Sequence, residues 1–314
     1  MPPADRIVVV VKKTGLEELV ERFNTQAQAR FYVEHMGVPF SEYEEAHRIY
    51  KESAENLRRL LPRKLKHQIV ERGFLPSFSF GPRDVVVTLG PDGLVINTAK
   101  YLREQPIVAL NPDASRIDGI LNPFALSDFP LALAGVLEGR ATIARVSMAC
   151  ATLNDGQRLF AVNDLFVGHR SHGSARYRIE VAGSSEDQSS SGIIVSTGAG
   201  STGWLRAILT GAAAISRGMG GCDAEVPADQ GRFDPEAEEL RYFVREPFPS
   251  RTTACGVACG VLAAQETLTV TSWMPDQGTI FSDGIESDYL PFNTGAVATI
   301  GLADRKAHLV QRCR

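Results

Sequence analysis

The loop Gly90-Pro91-Asp92-Gly93 follows a run of β-branched residues, and the residues after it have helical spacing. A parallel strand that ends in such a turn leaves backbone N–H groups free at the start of a helix, where the positive end of the helix dipole attracts phosphate. Glycine lets phosphate approach the main chain closely, and the Asp92 carboxylate can act as a base or hold a metal ion. The loop therefore indicates phosphoryl chemistry, although Pro-Asp-Gly is also common in ordinary tight turns.

A second glycine- and hydroxyl-rich loop follows the β-branched run Ile193–Ser196 and leads into another predicted helix. The hydroxyl groups of Ser201 and Thr202 can cap that helix or bind ligand oxygens, and Trp204 can stack on a base. A capped turn followed by a core tryptophan is an equally good interpretation of this motif taken alone.

Asn163 and Asp164 interrupt the otherwise apolar run Phe160–Val167. Each of these polar residues must find a partner, because an unpaired buried polar group lowers stability. A strand break satisfied by its own backbone is the favoured interpretation, and a ligand-binding pair is the alternative.

The elements around these loops change character along the chain. A strand at Ile7–Val11, a helix at Leu16–Phe23 and one or two amphipathic helices within residues 43–72 precede the Asp92 loop, and a strand at Ile107–Leu110 follows it. This alternation predicts a parallel sheet with helices on its faces. Beyond Asn122 short strand-like runs separated by turn residues predominate. We therefore expect an α/β N-terminal domain with a parallel sheet, residues 1–121, and a β-rich C-terminal domain, residues 122–314.

The composition indicates a soluble globular protein. The 314 residues are 44% hydrophobic and 22% charged, with a formal net charge of −4, and nothing in that balance favours nucleic acid or an anionic membrane as a partner. No apolar run reaches membrane-spanning length and no signal-peptide pattern is present, which predicts a cytoplasmic protein. The five cysteines form no pair of CxxC motifs, so no zinc site is predicted. Cys255 and Cys259 are expected to be buried thiols.

In their order and spacing the three motifs resemble those of the NAD kinase family, and the resemblance extends over nearly the whole chain. Members carry a Gly-Gly-Asp-Gly loop, then an Asn followed by an acid in a strand, then a Ser-Thr-x-x-Gly-Ser-x-x-aromatic loop. The corresponding segments here are Gly90–Gly93, Asn163-Asp164 and Ser196–Trp204. The sequence is most similar to the branch found in animal mitochondria.

The resemblance implies an NAD kinase-like fold and a magnesium-dependent transfer of phosphate from ATP to the 2′-hydroxyl of the adenosine ribose of NAD. It implies that Asp92 is the catalytic acid/base, that the chain is a homodimer and that its partners are small-molecule nucleotides. No residue is assigned as a metal ligand. The residues that would bind the nucleotides are Gly90, Gly93, Asn163, Asp164, Ser191, Ser201, Thr202, Gly203 and Trp204.

The sequence departs from the family at four of its positions. Pro91 replaces the second glycine of the loop and removes one backbone N–H, and Leu94 stands where many members have threonine. Ser191 replaces an aspartate of the common bacterial enzymes, and Trp204 replaces the usual tyrosine. Three functions stay open: an active NAD kinase with an altered phosphoryl donor, a catalytically impaired dinucleotide-binding relative, and a kinase of another small molecule such as a lipid or a sugar.

Overall fold

The structure is a computed structural model, and it describes residues 4–220, 229 and 231–312. Contacts between Cα atoms divide the chain into two compact units, the first formed by residues 1–144 and 308–314 and the second by residues 145–307. Residues 122–144, which the sequence analysis placed in the second domain, fall in the first unit. The domain boundary expected between residues 121 and 122 stays a prediction.

The first unit contains an α/β arrangement. Its strands and helices are β1 (Arg6–Val11), α1 (Gly15–Phe23), α2 (Gln26–His35), α3 (Phe40–Leu60), β2 (Lys66–Glu71), β3 (Asp84–Leu89), α4 (Asp92–Ala99), β4 (Pro106–Asn111), β5 (Phe124–Ala125) and α5 (Phe129–Leu137).

These strands form a parallel sheet in the order β4-β3-β1-β2, with β5 beside β4. All six residues of β3 are buried, and a continuous apolar run of this kind is typical of a central strand covered on both faces. One face packs against α3 and α5 through Tyr50, Leu57, Phe129 and Leu133. The carboxyl end of β3 leads directly into the Asp92 loop, so the sheet fixes the place of that loop.

The helical prediction for residues 43–72 is correct only in part. Helix α3 ends at Leu60, and Lys66–Glu71 form strand β2. This strand lies at the edge of the sheet, and Val70 is its one fully buried residue. The other side chains of β2 reach solvent and are mostly polar, so apolar and polar residues do not alternate as they do in a half-buried strand. The segment therefore looks like the charged surface of a helix.

The second unit is built from antiparallel strands. Its elements are β6 (Ile143–Leu153), which begins in the first unit, β7 (Arg158–Ala161), β8 (Asp164–His169), β9 (Ala175–Val181), β10 (Ser184–Ser190), β11 (Ile193–Ser196), α6 (Trp204–Gly218), β12 (Glu239–Val244), β13 (Cys259–Ala263), β14 (Leu268–Ser272), β15 (Gly278–Ser282), β16 (Ile285–Pro291) and β17 (Val297–Val310), which ends in the first unit.

Within this unit one sheet has the order β10-β9-β14-β17 and the other the order β13-β12-β11-β8-β15-β16. Tyr177, Val195, Val270 and Phe292 lie in its hydrophobic core, and all four are buried. The predicted fold class, an α/β N-terminal domain with a parallel sheet followed by a β-rich C-terminal domain, is confirmed.

The prediction that Cys255 and Cys259 are buried is wrong, because both are exposed. Cys255 lies in a loop, and Cys259 begins β13, the edge strand of its sheet, which has a neighbouring strand on one side only. Cys222 and Cys313 lie outside the described residues. Across the described part of the chain no helix combines the length and the apolar character that crossing a membrane requires.

Candidate active site

The Asp92 loop begins where β3 ends. The N–H of Gly90 donates to the carbonyl of Leu110 at the end of β4 (3.1 Å), and the N–H of Leu94 donates to the carbonyl of Pro91 (2.9 Å). Helix α4 therefore starts at Asp92 with Pro91 in the position before it, where no side chain caps the helix. The missing N–H of Pro91 is tolerated at a helix start, because backbone donors there have no partner within the helix.

Leu94 has a packing role in this loop. Its side chain is 1% exposed, and a Cβ added at Gly90 would lie 2.9 Å from Leu94 Cδ2. A residue larger than glycine therefore does not fit at position 90 unless Leu94 moves. Gly93 is exposed and has no atom within 4 Å of an added Cβ, so the protein itself leaves open space beside it.

The carboxylate of Asp92 is held by the segment before β5. Asp92 Oδ1 accepts the N–H of Leu121 (3.0 Å), and Asp92 Oδ2 accepts the N–H of Ile120 (3.1 Å). Each carboxylate oxygen has a second lone pair. The half-buried side chain is thus fixed in direction and can still accept a proton from a hydroxyl group.

In the second unit the structure has a strand break at Asn163. Strand β7 ends at Ala161 and β8 begins at Asp164. The carboxylate of Asp283 accepts the N–H groups of Val162 (3.1 Å), Asn163 (2.8 Å) and Asp164 (3.2 Å). One carboxylate therefore satisfies three consecutive backbone donors of the break. No sequence motif indicates that Asp283 accepts these N–H groups.

The carboxyl group of Asp164 is buried, with 9% of the residue exposed. Burial raises its pKa to about 7, the hydrogen bond from Ser196 opposes that shift, and the charge of Asp283 adds to it. Asp164 Oδ1 has no hydrogen-bond partner among the described residues. Near neutral pH the protonated form of this group is therefore accessible, and in that form it can donate as well as accept a hydrogen bond.

The loop between β11 and α6 is tied to the same strand break. Thr197 donates its N–H to the carbonyl of Asn163 (2.9 Å) and its hydroxyl to the carbonyl of Val162. Ser201 is fully buried, and its hydroxyl donates to the carbonyl of Gly198 (2.6 Å). Thr202 and Gly203 are exposed. The loop thus presents Thr202 and Gly203 outward and uses Ser201 internally.

Trp204 begins helix α6 and is half-buried. Its ring is parallel to that of Phe166 at 6.0 Å, with 7° between the planes, and the Arg245 guanidinium lies 5.7 Å from its centroid. Ser191 is exposed and donates its N–H to the carbonyl of Arg245 (2.9 Å). Arg245 therefore contacts both predicted site residues, and neither of them lies in the core.

Gly200 leaves no room for a side chain. A Cβ there would lie 2.4 Å from the carbonyl oxygen of Asn163 and 2.7 Å from Asp164 Oδ1. We expect Gly200→Ala to lower the free energy of unfolding by about 3 kcal/mol, because a backbone atom must move to relieve the overlap. Urea unfolding of the purified variant measures this effect.

Gly211→Ala is the matched control. Gly211 lies inside helix α6, and no atom lies within 4 Å of an added Cβ. Alanine favours the helical backbone over glycine, so this variant should gain about 0.5–1 kcal/mol. Equal changes in the two variants would contradict the close packing of Gly200 against the strand break.

No family model matches the sequence, and no curated protein sequence matches it significantly. Solved structures do share its fold. Yeast NADH kinase complexed with NADH superimposes with a TM-score of 0.61 at 14% sequence identity, covering 100% of this chain and 85% of that chain. An NAD kinase from Archaeoglobus fulgidus in complex with ATP gives a TM-score of 0.56 at 18% identity, covering 97% of this chain and 93% of that chain. The chain therefore has the fold of these kinases.

Proposed function

We propose that the chain is an NAD kinase-like phosphotransferase, which transfers the γ-phosphoryl group of ATP to the 2′-hydroxyl of the adenosine ribose of NAD and forms NADP. The observation that carries this proposal is the Asp92 carboxylate, held by two backbone N–H groups at the first residue of α4, in a chain whose structural neighbours are an NADH kinase and an NAD kinase.

In the proposed reaction Asp92 accepts the proton of the ribose 2′-hydroxyl. The hydroxyl oxygen forms a bond to the γ-phosphorus, the bond between that phosphorus and the β,γ-bridging oxygen breaks, and ADP leaves with the bonding electrons. The open surface at Gly93 and the positive end of the α4 helix dipole suit a phosphate group. Gly90 allows Leu94 to pack closely against the loop, and the N–H groups of Ile120 and Leu121 fix the direction of the Asp92 carboxylate.

We propose that NAD is bound by Asn163, Asp164, Thr202, Gly203 and Trp204, with Ser191 at the edge of that surface. Trp204 is half-buried, and its indole ring can stack on a base. The buried carboxyl of Asp164, whose pKa is raised, suits a ribose hydroxyl, because its protonated form can both donate and accept a hydrogen bond. Ser201 supports the loop through its buried hydroxyl.

Magnesium would bind at this site together with the phosphate groups of the nucleotide. The described residues contain no group of three or more histidine, cysteine, aspartate or glutamate side chains arranged to hold a metal, and Mg²⁺ commonly binds through substrate phosphates with one or two carboxylates. Asp92 is the carboxylate that can supply such a ligand. Bound Mg²⁺ would neutralise negative charge on the transferred phosphoryl group.

We also propose, on the resemblance to the NAD kinase family, that the protein is a homodimer. Its cytoplasmic location stays a prediction from the sequence.

The alternative functions rest on the Asp92 loop itself. Pro91 lacks an N–H, and if relatives use that donor for phosphate, a charge-assisted hydrogen bond of roughly 1.5–3 kcal/mol is lost. Leu94 is buried and offers no hydroxyl. These two residues favour a catalytically impaired dinucleotide-binding relative as the second candidate.

The test is magnesium-dependent formation of NADP by the purified protein, with NAD or NADH as acceptor and ATP or polyphosphate as donor. Binding of NAD is measured in parallel with the Trp273→Phe variant, in which Trp204 is the single remaining tryptophan. Bound NAD is detected by the quenching of Trp204 fluorescence. We expect both product and quenching. Quenching without product would support the impaired relative, and the absence of both would overturn the NAD assignment and leave a kinase of another small molecule.

A further inference from the structure

The side chain of Asn122 forms a hydrogen bond between the segment before β5 and the Asp92 loop. The residue is 1% exposed, and its side-chain Nδ2 donates to the carbonyl of Gly90 at 2.5 Å. Gly90 lies two residues before Asp92, and Asn122 directly follows the two residues whose N–H groups hold the Asp92 carboxylate. The Asn122 amide therefore joins the backbone that carries Asp92 to the backbone that holds its carboxylate.

The opposite side of the same amide is closely packed. Asn122 Oδ1 has no hydrogen-bond partner among the described residues, and it would lie 2.7 Å from a Cβ added at Gly119. Gly119 has φ +69°, a backbone conformation that favours glycine. Asn111 Nδ2 would lie 2.8 Å from the same Cβ, and it donates to the carbonyl of Ile117 (2.9 Å). A side chain at position 119 would therefore collide with the Asn122 amide, so the place of that amide depends on this glycine.

Because residue 91 is a proline, the position of the Asp92 loop depends more strongly on the hydrogen bond between Asn122 and the Gly90 carbonyl. A proline has no N–H, so the residue between Gly90 and Asp92 cannot donate a backbone hydrogen bond. The N–H of Gly90 bonds to Leu110, and its carbonyl is bonded by Asn122. These two bonds fix the peptide groups that lead into Asp92, and the second of them depends on one side chain.

We propose that Asn122 is a positioning residue for Asp92 in phosphoryl transfer. Its hydrogen bond to the Gly90 carbonyl fixes the position of the Ile120 and Leu121 N–H groups relative to the Asp92 loop, and these N–H groups orient the Asp92 carboxylate. This inference rests on the proposed function for its catalytic consequence, whereas the geometric part can be tested in the absence of activity. Misplacing a catalytic group by about 1 Å can lower the rate on the order of a hundredfold.

The experiment compares wild type with Asn122→Ala, Asn122→Asp and a control, Asn154→Ala. Asn154 also joins two segments through its amide, to the carbonyl of Gly295 and the N–H of Val297, but in an exposed turn. For Asn122→Ala we expect kcat to fall about 10- to 100-fold while KM for NAD changes less than about twofold. The control should keep both constants.

Asn122→Asp provides a readout that a purely structural role would not change. The carboxyl group that this substitution introduces can donate to the Gly90 carbonyl when it is protonated, whereas its ionised form repels that carbonyl. The ratio of variant kcat to wild-type kcat should therefore rise as the pH is lowered. A ratio that stays constant with pH, in a folded variant, would contradict the proposed hydrogen bond.

Amide hydrogen exchange of Ile120 and Leu121, measured by NMR, tests the geometry without turnover. Both amides should exchange about tenfold faster in Asn122→Ala than in wild type, because the segment that carries them is no longer bonded to Gly90. They should also exchange faster in Asp92→Ala, which removes their acceptor. Unchanged exchange in Asn122→Ala would overturn the positioning role. If the wild-type protein formed no NADP, the exchange result would still decide this role, and only the proposed function would fail.

Discussion

Asp92→Asn is expected to lower the kcat for NADP formation by about 10²- to 10⁴-fold while NAD still quenches Trp204 fluorescence. Asparagine keeps the size of the side chain and one oxygen that can accept the N–H of Ile120 or Leu121. It cannot accept the proton of the 2′-hydroxyl, and the loss of a positioned general base commonly has an effect of this size. Steady-state rates of NADP formation give the measurement.

The control is Asp155→Asn, which makes the same chemical change in an exposed turn where the carboxylate accepts bonds from Gln157. This variant should keep wild-type kcat and KM. A folded Asp92→Asn protein with more than about a third of the wild-type rate would exclude Asp92 as the general base. The phosphoryl chemistry would then have to rely on another group.

The sequence predicted the position of Asp92 because that position depends on local pattern. The β-branched run before Gly90 and the helical spacing after Gly93 define a strand, a turn and a helix within about fifteen residues. The structure places Asp92 at the first residue of α4, as this pattern indicates. The fold class followed from the same kind of signal, since alternating strands and helices give way to short strands.

The partners of Asp92 could not be predicted in this way. Its carboxylate bonds to the backbone N–H groups of Ile120 and Leu121, and a backbone donor has no residue type that a sequence pattern can indicate. Asn122 contributes a side chain, but one asparagine before a proline is also typical of an ordinary turn. Its role becomes visible only when its distance to the Gly90 carbonyl is known.

Asp283 is a second residue whose role the sequence could not reveal, because its hydrogen-bond partners lie far from it along the chain. It lies 120 residues from Asn163, yet its carboxylate accepts three consecutive N–H groups at that strand break. The sequence showed the break, because Asn163 and Asp164 interrupt an apolar run. It could not show the acceptor, because no local periodicity relates β15 to β8. The Asp-Gly turn at residues 283–284 was the one available signal.

These contacts place two carboxyl groups of different character at one strand break. The Asp283 carboxylate accepts three backbone N–H groups. The Asp164 carboxyl is buried, its Oδ1 has no partner among the described residues, and its pKa is raised to about 7. Burial is the largest cause, so Asp164 is the group whose ionisation opposes folding.

Asp164→Asn should therefore stabilise the protein at alkaline pH and have little effect at acidic pH. The unfolded pKa of aspartate is about 3.9, and the folded value is about 7. Between these values the folded state binds more protons than the unfolded state, so wild-type stability falls as the pH rises from 4 to 7, by up to about 4 kcal/mol from this group. Asparagine does not ionise and avoids this loss.

Urea unfolding of both proteins from pH 4 to pH 9 tests this prediction through the difference in unfolding free energy. The difference should grow in favour of Asp164→Asn as the pH rises toward 7 and then become constant. Asp155→Asn should change the unfolding free energy in the opposite direction. Hydrogen bonds from Gln157 lower the pKa of Asp155, so the ionised carboxylate stabilises the folded state at neutral pH, and asparagine loses this contribution. Parallel curves for wild type and Asp164→Asn would show that Asp164 is ionised in the folded protein without penalty, and that its proton is not available to a bound ribose.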